Sequence, residues 1–158
     1  MYNPEDDLAR YLLGETDAIS GESVINTPID TTDTAVFIGG YVPFNEIQNE
    51  LITQQLIVSV STGTPNPRWL RDEWFINFRT VGRDKSYRQN CQTLINKVVD
   101  EFLGKSETKI ENRLYLQFTF SELPSFVGFS DDTVPIYSAT LYVVVEGLED
   151  EFNRSALN

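Results

Sequence analysis

The stretch RDKSYRQNCQTLINKVVDEFLG, residues 83–104, decides the reading of this chain. Tyr87, Cys91, Leu94, Ile95, Val98, Val99, Phe102 and Leu103 fall at the 3.6-residue spacing of one apolar helical stripe. Asp84 stands where a helix takes its N-cap, and Gly104 stands where one ends. The spacing predicts one long amphipathic helix. Cys91 lies on its apolar stripe and is read as a small buried hydrophobe, not a nucleophile. Just before it, WFINFRTVG (74–82) changes the period from 3.6 to 2. Trp74, Ile76, Phe78 and Thr80 then share one face of a strand, and Phe75, Asn77, Arg79 and Val81 share the other. An Asn and an Arg among aromatics mark that second face as exposed or as facing a partner.

Working outward, NRLYLQFTFSE (112–122) alternates as a strand. Its pattern places Leu114, Leu116, Phe118 and Phe120 inward and Arg113, Tyr115, Gln117 and Thr119 outward. LPSFVGFSDDTVP (123–135) reads as a strand fragment with a turn at Ser130–Asp132. IYSATLYVVVEG (136–147) is the closing strand, with Tyr137, Ala139, Leu141, Val143 and Val145 on one face. Upstream, Asn3, Pro4 and the acids Glu5–Asp7 open a short helix carrying Leu8, Tyr11 and Leu12, and Gly14 ends it. Residues 15–33 are polar and turn-rich, with room for a short strand at Val24–Asn26. TAVFIGG (34–40) is a short strand, YVPFNEIQNE (41–50) is ambiguous, and ELITQQLIVSVSTG (50–63) contains a strand. STGTPNPRWLRDE (61–73) opens with Ser, Thr, Gly and two prolines and reads as an exposed loop or arm. The expected fold class is α+β: an antiparallel β-sheet packed by one long helix, with a short N-terminal helix and a projecting arm. Residues 1–150 form a single domain in this reading, and 151–158 a polar tail.

Composition limits the function. The 158 residues include no histidine and one cysteine. This removes Ser-His-Asp and Cys-His machinery, an internal disulfide and Cys-rich zinc sites. Net charge is −12, which opposes binding of the whole chain to nucleic acid or anionic membranes. No apolar run approaches the roughly 20 residues that span a bilayer, and the acidic N-terminus has the wrong sign for a secretory signal. The charge is uneven. Residues 68–113 hold ten of the twelve basic residues and seven acids, so this third is +3 and the remainder −15. Separated signs suit head-to-tail attraction between copies, or they are simply a solvated surface.

No motif carries catalysis. Asp131 and Asp132 sit at a turn that favours Asp for local backbone bonding, although a divalent cation is their other use. DTTDT (30–34) lacks the Gly and closing Glu of a calcium loop. IGGY (38–41) and STGTP (61–65) lack phosphate-loop spacing. PRWLRDEW (67–74) interleaves bases with aromatics, as single-strand binders do. Asp72 and Glu73 interrupt it, and Trp and Arg are also the residues of protein–protein hot spots. Trp74 begins a strand and is read as packed; Trp69 is open between core and docking arm. A docking arm carrying Arg68, Trp69, Leu70 and Arg71 is the preferred reading. No enzyme activity, cofactor or metal is expected.

The order from Trp74 onward resembles a known family. FINFRTVGRD leads into a helix ending DEFLG, then a long strand and ELPSFVGFSDDTVPIYSATLYVVVEG, in which Pro124, Gly128 and Asp131 approximate the family's P-x-x-x-G-x-D segment. TTDTAVFIGGYVP resembles its first strand. The chain is similar in this way to bacteriophage tail terminator, or minor capsid (tail completion), proteins. The resemblance implies a non-enzymatic virion protein of the neck or tail end, assembled in the host cytoplasm. It implies a ring, commonly hexameric, that caps the tail tube and meets the head-side connector. DNA would pass through the lumen without specific binding. With the arm, Asn77, Arg79 and Arg83 are then the interface candidates, together with Arg68, Trp69, Leu70 and Arg71. The alternatives are a head-completion or connector neck protein of similar fold, or a single-stranded nucleic-acid-binding module.

Overall fold

A computed structural model describes residues 3–14, 29–66, 71–111, 113–130 and 134–146. Helix α1 spans Pro4–Leu12, and Asn3 caps it by accepting from the Glu5 amide. Gly14, at φ 78°, turns the chain out of it. Strand β1 (Thr34–Ile38) leads through a 3-10 turn at Phe44–Glu46 to β2 (Gln54–Asn66), and β3 follows at Arg71–Gly82. Asp84 accepts from the Ser86 amide and caps a second 3-10 turn, Lys85–Tyr87, which runs into α2 (Arg88–Phe102). Strands β4 (Ser106–Ile110), β5 (Arg113–Phe129) and β6 (Pro135–Glu146) complete the described chain. The result is α+β, mostly sheet.

One six-stranded sheet has the order β1-β2-β3-β6-β5-β4. The β1–β2 pair is parallel and the other pairs are antiparallel, so the sheet is mixed rather than wholly antiparallel. Parallel pairing needs a long crossover, and residues 39–53 supply it.

The core gathers both helices onto one sheet face. Cys91, Leu94, Ile95, Val98, Val99 and Phe102 of α2 are buried with Ile76 and Phe78 of β3 and with Tyr137, Ala139, Leu141, Val143 and Val145 of β6. The Phe102 ring stacks on Phe78 at 5.7 Å and on Phe118 at 5.5 Å. Leu103, expected on the stripe, is 61% exposed because the chain has already left the helix there, bending toward Gly104 at φ 81°. The sheet curls. Glu5 accepts from the Val60 amide of β2 at 2.9 Å, while Asp7, two residues on, holds Arg113 and Tyr115 of β5. A flat sheet would put those strands about 14 Å apart.

Three further expectations are corrected. First, residues 61–66 and 71–73 are strand, not an irregular loop, pairing from Thr62↔Phe75 to Asn66↔Arg71. Only residues 67–70, which hold Arg68, Trp69 and Leu70, separate the strands, and they lie outside the described residues. Second, β5 is continuous through 123–129. Its register shifts between Tyr115 and Gln117, so Leu116 is the extra residue of a bulge. Tyr115 is therefore fully buried beside Phe118, whereas Leu114 and Leu116 are only half-buried. Third, β4 was not anticipated. The Asp131–Asp132 turn, the segment around Val24–Asn26 and the tail 151–158 lie outside the described residues.

Candidate functional site

The candidate site is the sheet face turned away from both helices. The alternation of β3 and β6 places Phe75, Asn77 and Arg79 there, across from Tyr142, Thr140 and Ser138. Asn77 Nδ2 donates to Ser138 Oγ at 2.9 Å, and to Thr140 Oγ1 and the Ala139 carbonyl at 3.3 Å each. An amide shared among three acceptors holds its neighbours in place rather than reaching out to a ligand. Arg79, by contrast, is exposed.

Next to this polar stripe is an aromatic one. Phe75 and Tyr142 lie 5.2 Å apart between centroids. Tyr142 Oη donates to Glu73 Oε1 at 2.6 Å, and burial, reinforced by that carboxylate, pushes its hydroxyl up to about 12. Tyr142 therefore stays a neutral donor at physiological pH. An open groove of about 560 Å³ follows, lined by Arg71, Glu73, Glu107, Gln117, Tyr142 and Val144. Its two acids and one arginine favour a protein surface with both signs over a polyanion.

At the opposite end the face is covered. Ile57, Val81 and Val134 form a small buried cluster, closed by Phe44 and Ile136. The Arg83 guanidinium lies over the Phe44 ring at 5.5 Å, and the Arg83 amide donates to the Thr53 carbonyl at 2.9 Å. Of the residues singled out from sequence, Asn77 and Arg79 thus meet on the open face. Arg71 lies eight strand positions from Arg79, about 27 Å along β3. Arg83 is set apart under the Phe44 turn. Tyr142, Glu73 and Thr140 were missed, although the outward phase of β6 was already implied by its inward one.

The groups with latent chemistry lie elsewhere. Cys91 is fully buried on α2, and burial pushes its thiol up to about 12, far from the reactive thiolate range. Among the described residues no group of three or more His, Cys, Asp or Glu is placed to hold a metal ion, and no helix is long and apolar enough to cross a membrane. No protein-family model matches this sequence, and neither does any curated protein.

Proposed function

We propose that this chain is a structural subunit of a phage neck or tail end, a tail terminator that assembles head to tail into a ring. The observation that carries the reading is the open sheet face, where the Phe75–Tyr142 ring pair and Glu73 lie between the exposed Arg71 and Arg79 along β3. Aromatic residues and arginine are the composition of protein–protein hot spots. The resemblance over residues 74–147 supplies the assembly, and a hexamer is its commonest form. The β2–β3 hairpin is the projecting arm in this proposal, and Arg68, Trp69 and Leu70 fall in the sequence between its two strands. Tail tube protein on one side and a head connector on the other are the partners. DNA passes without specific contact.

The test is mass measurement by light scattering across a concentration series, with and without purified tail tubes. A ring-sized species that binds tube ends supports the reading. A strict monomer that ignores tubes overturns it. Binding to the head connector alone would favour the head-completion alternative.

A further inference from the structure

Helix α1 is held as a ligand is held. Leu8 and Leu12 are fully buried in the main core cluster, and Tyr11 packs on Phe102 at 5.6 Å between ring centroids. Among the described residues, every hydrogen bond from α1 to the rest of the chain runs through a side chain of the helix. Glu5 accepts from the Val60 amide, Asp7 is held by Arg113 and Tyr115, and the Tyr11 hydroxyl donates to Glu101 at 2.8 Å. No main-chain ladder fastens α1 to the sheet. Its nine residues fall short of the roughly 12–15 that hold as an isolated helix in water, so its seat is what makes it a helix. The signs match as well. Glu5, Asp6 and Asp7 open the helix, and Arg113 belongs to the basic third of the sequence.

The connection to the next described residue is long for the gap it crosses. Tyr11 meets Glu101 and Phe102 at the end of α2, while Asp30 lines a groove with Lys97. Lys97 and Glu101 are about one helical turn apart, roughly 6 Å along the axis. Allowing for side chains, the two ends lie on the order of 10–20 Å apart, a span for about five residues. Fourteen residues, 15–28, join Gly14 to Ile29. That length can reach about 50 Å. Six strands at about 4.8 Å spacing make a sheet about 24 Å wide, so the reach exceeds the width of one copy. Connections within compact domains mostly take about 4–6 residues. The surplus weakens the preference of α1 for its own seat, because effective concentration falls as a link lengthens. On an adjoining copy the same helix finds the same contacts.

We propose that the α1 seat is an exchange site, and that its occupant in the associated protein is the α1 of a second copy. One copy contributes Glu5, Asp7 and Leu8, and the other receives them with Val60, Arg113 and Tyr115. The exchange does not rest on the tail-terminator reading or on the open sheet face.

The test mixes two full-length variants. Asp7→Lys sets an ammonium against Arg113 in its own seat, and Arg113→Glu sets a carboxylate against Asp7. Seated in trans, both clashes vanish. The new ammonium meets the new carboxylate, and the unchanged Asp7 meets the unchanged Arg113. Each variant alone should melt about 4 °C or more below the unsubstituted chain. Refolded together at equal amounts, the two should recover that loss and give a species of at least twice the monomer mass. A chain carrying both substitutions is the control, and it should melt near the unsubstituted chain. If the control does not fold, a sample mixing isotope-labelled and unlabelled copies of the unsubstituted chain decides. Tyr11–Phe102 contacts between differently labelled copies then support exchange. With a sound control, a mixture that melts and weighs as its separate components overturns the proposal. So do Tyr11–Phe102 contacts confined to single copies in the associated chain, or a chain that stays monomeric at every concentration. Association of the unsubstituted chain without rescue in the mixture leaves the open sheet face as the contact and removes this one. Rescue in a mixture that ignores tail tubes keeps the exchange and removes the tail-terminator reading.

Discussion

Asp7 is the most deeply placed charge among the described residues, at 1% exposure. It is held by a two-pronged contact from Arg113, with Nε to Oδ2 at 2.8 Å and Nη2 to Oδ1 at 2.7 Å, and by the Tyr115 hydroxyl at 2.6 Å. The same contact raises the Arg113 pKa, with Asp7 as the largest cause. Asp7→Ala would leave the Tyr115 hydroxyl buried without this acceptor and release α1 from β5. Arg113, with its side chain 26% exposed, can turn to water, which lowers the penalty. We expect a loss of about 2–4 kcal/mol, at the lower end for a broken buried pair. That is roughly 4–16 °C in melting temperature for a chain of this size. Thermal unfolding followed by circular dichroism measures it. A shift below about 1 kcal/mol would mean that the clasp is incidental. Sequence placed Tyr115 outward, because strict alternation cannot anticipate the extra residue at Leu116 that turns it in.

At the scale of elements, what could be read locally was the part whose pattern is self-contained. The α2 stripe from Cys91 to Phe102 and the β6 face from Tyr137 to Val145 each state their period, and both are buried as expected. The β2–β3 hairpin was not legible in the same way. Ser, Thr, Gly and Pro at 61–66 are loop formers on their own. They become strand because β3 lies opposite and because the Trp74 ring covers Gly63, its cross-strand partner. A Cβ on Gly63 would sit 2.2 Å from Trp74 Cε3. Nor could β4 be read, since SETKI has almost no apolar periodicity and forms by pairing with β5. The hairpin account makes a prediction. Gly63→Ala should displace the Trp74 ring and destabilise the chain by about 1–3 kcal/mol. In a Trp69→Phe background, the remaining tryptophan emission should shift to the red. Unchanged emission and stability would show that the ring does not depend on the missing Cβ.

For the whole molecule, the sign separation along the sequence is broken up by local contacts of several basic side chains among the described residues. Arg113 is paired with Asp7, Arg88 lies 4.0 Å from the Phe126 ring centroid, Arg83 lies over Phe44, and Lys105 lies 3.7 Å from Glu101. Arg71 and Arg79 remain exposed on the open face, in the company of Glu73. A net charge of −12 then acts between copies mainly as a long-range repulsion. Salt screens that repulsion before it touches short-range aromatic contacts. The Debye length falls from about 30 Å at 0.01 M to about 10 Å at 0.1 M. Self-association through the open face should therefore strengthen over that range, as read by light scattering at fixed protein concentration. Nucleic-acid binding has the opposite salt dependence, because phosphate contacts release counterions. A single-stranded oligonucleotide should accordingly leave tryptophan emission unquenched at 0.01 M, where such binding is strongest. Association that weakens with salt, together with quenching at low salt, would transfer Arg71, Arg79, Phe75 and Tyr142 from a subunit contact to a nucleic-acid one.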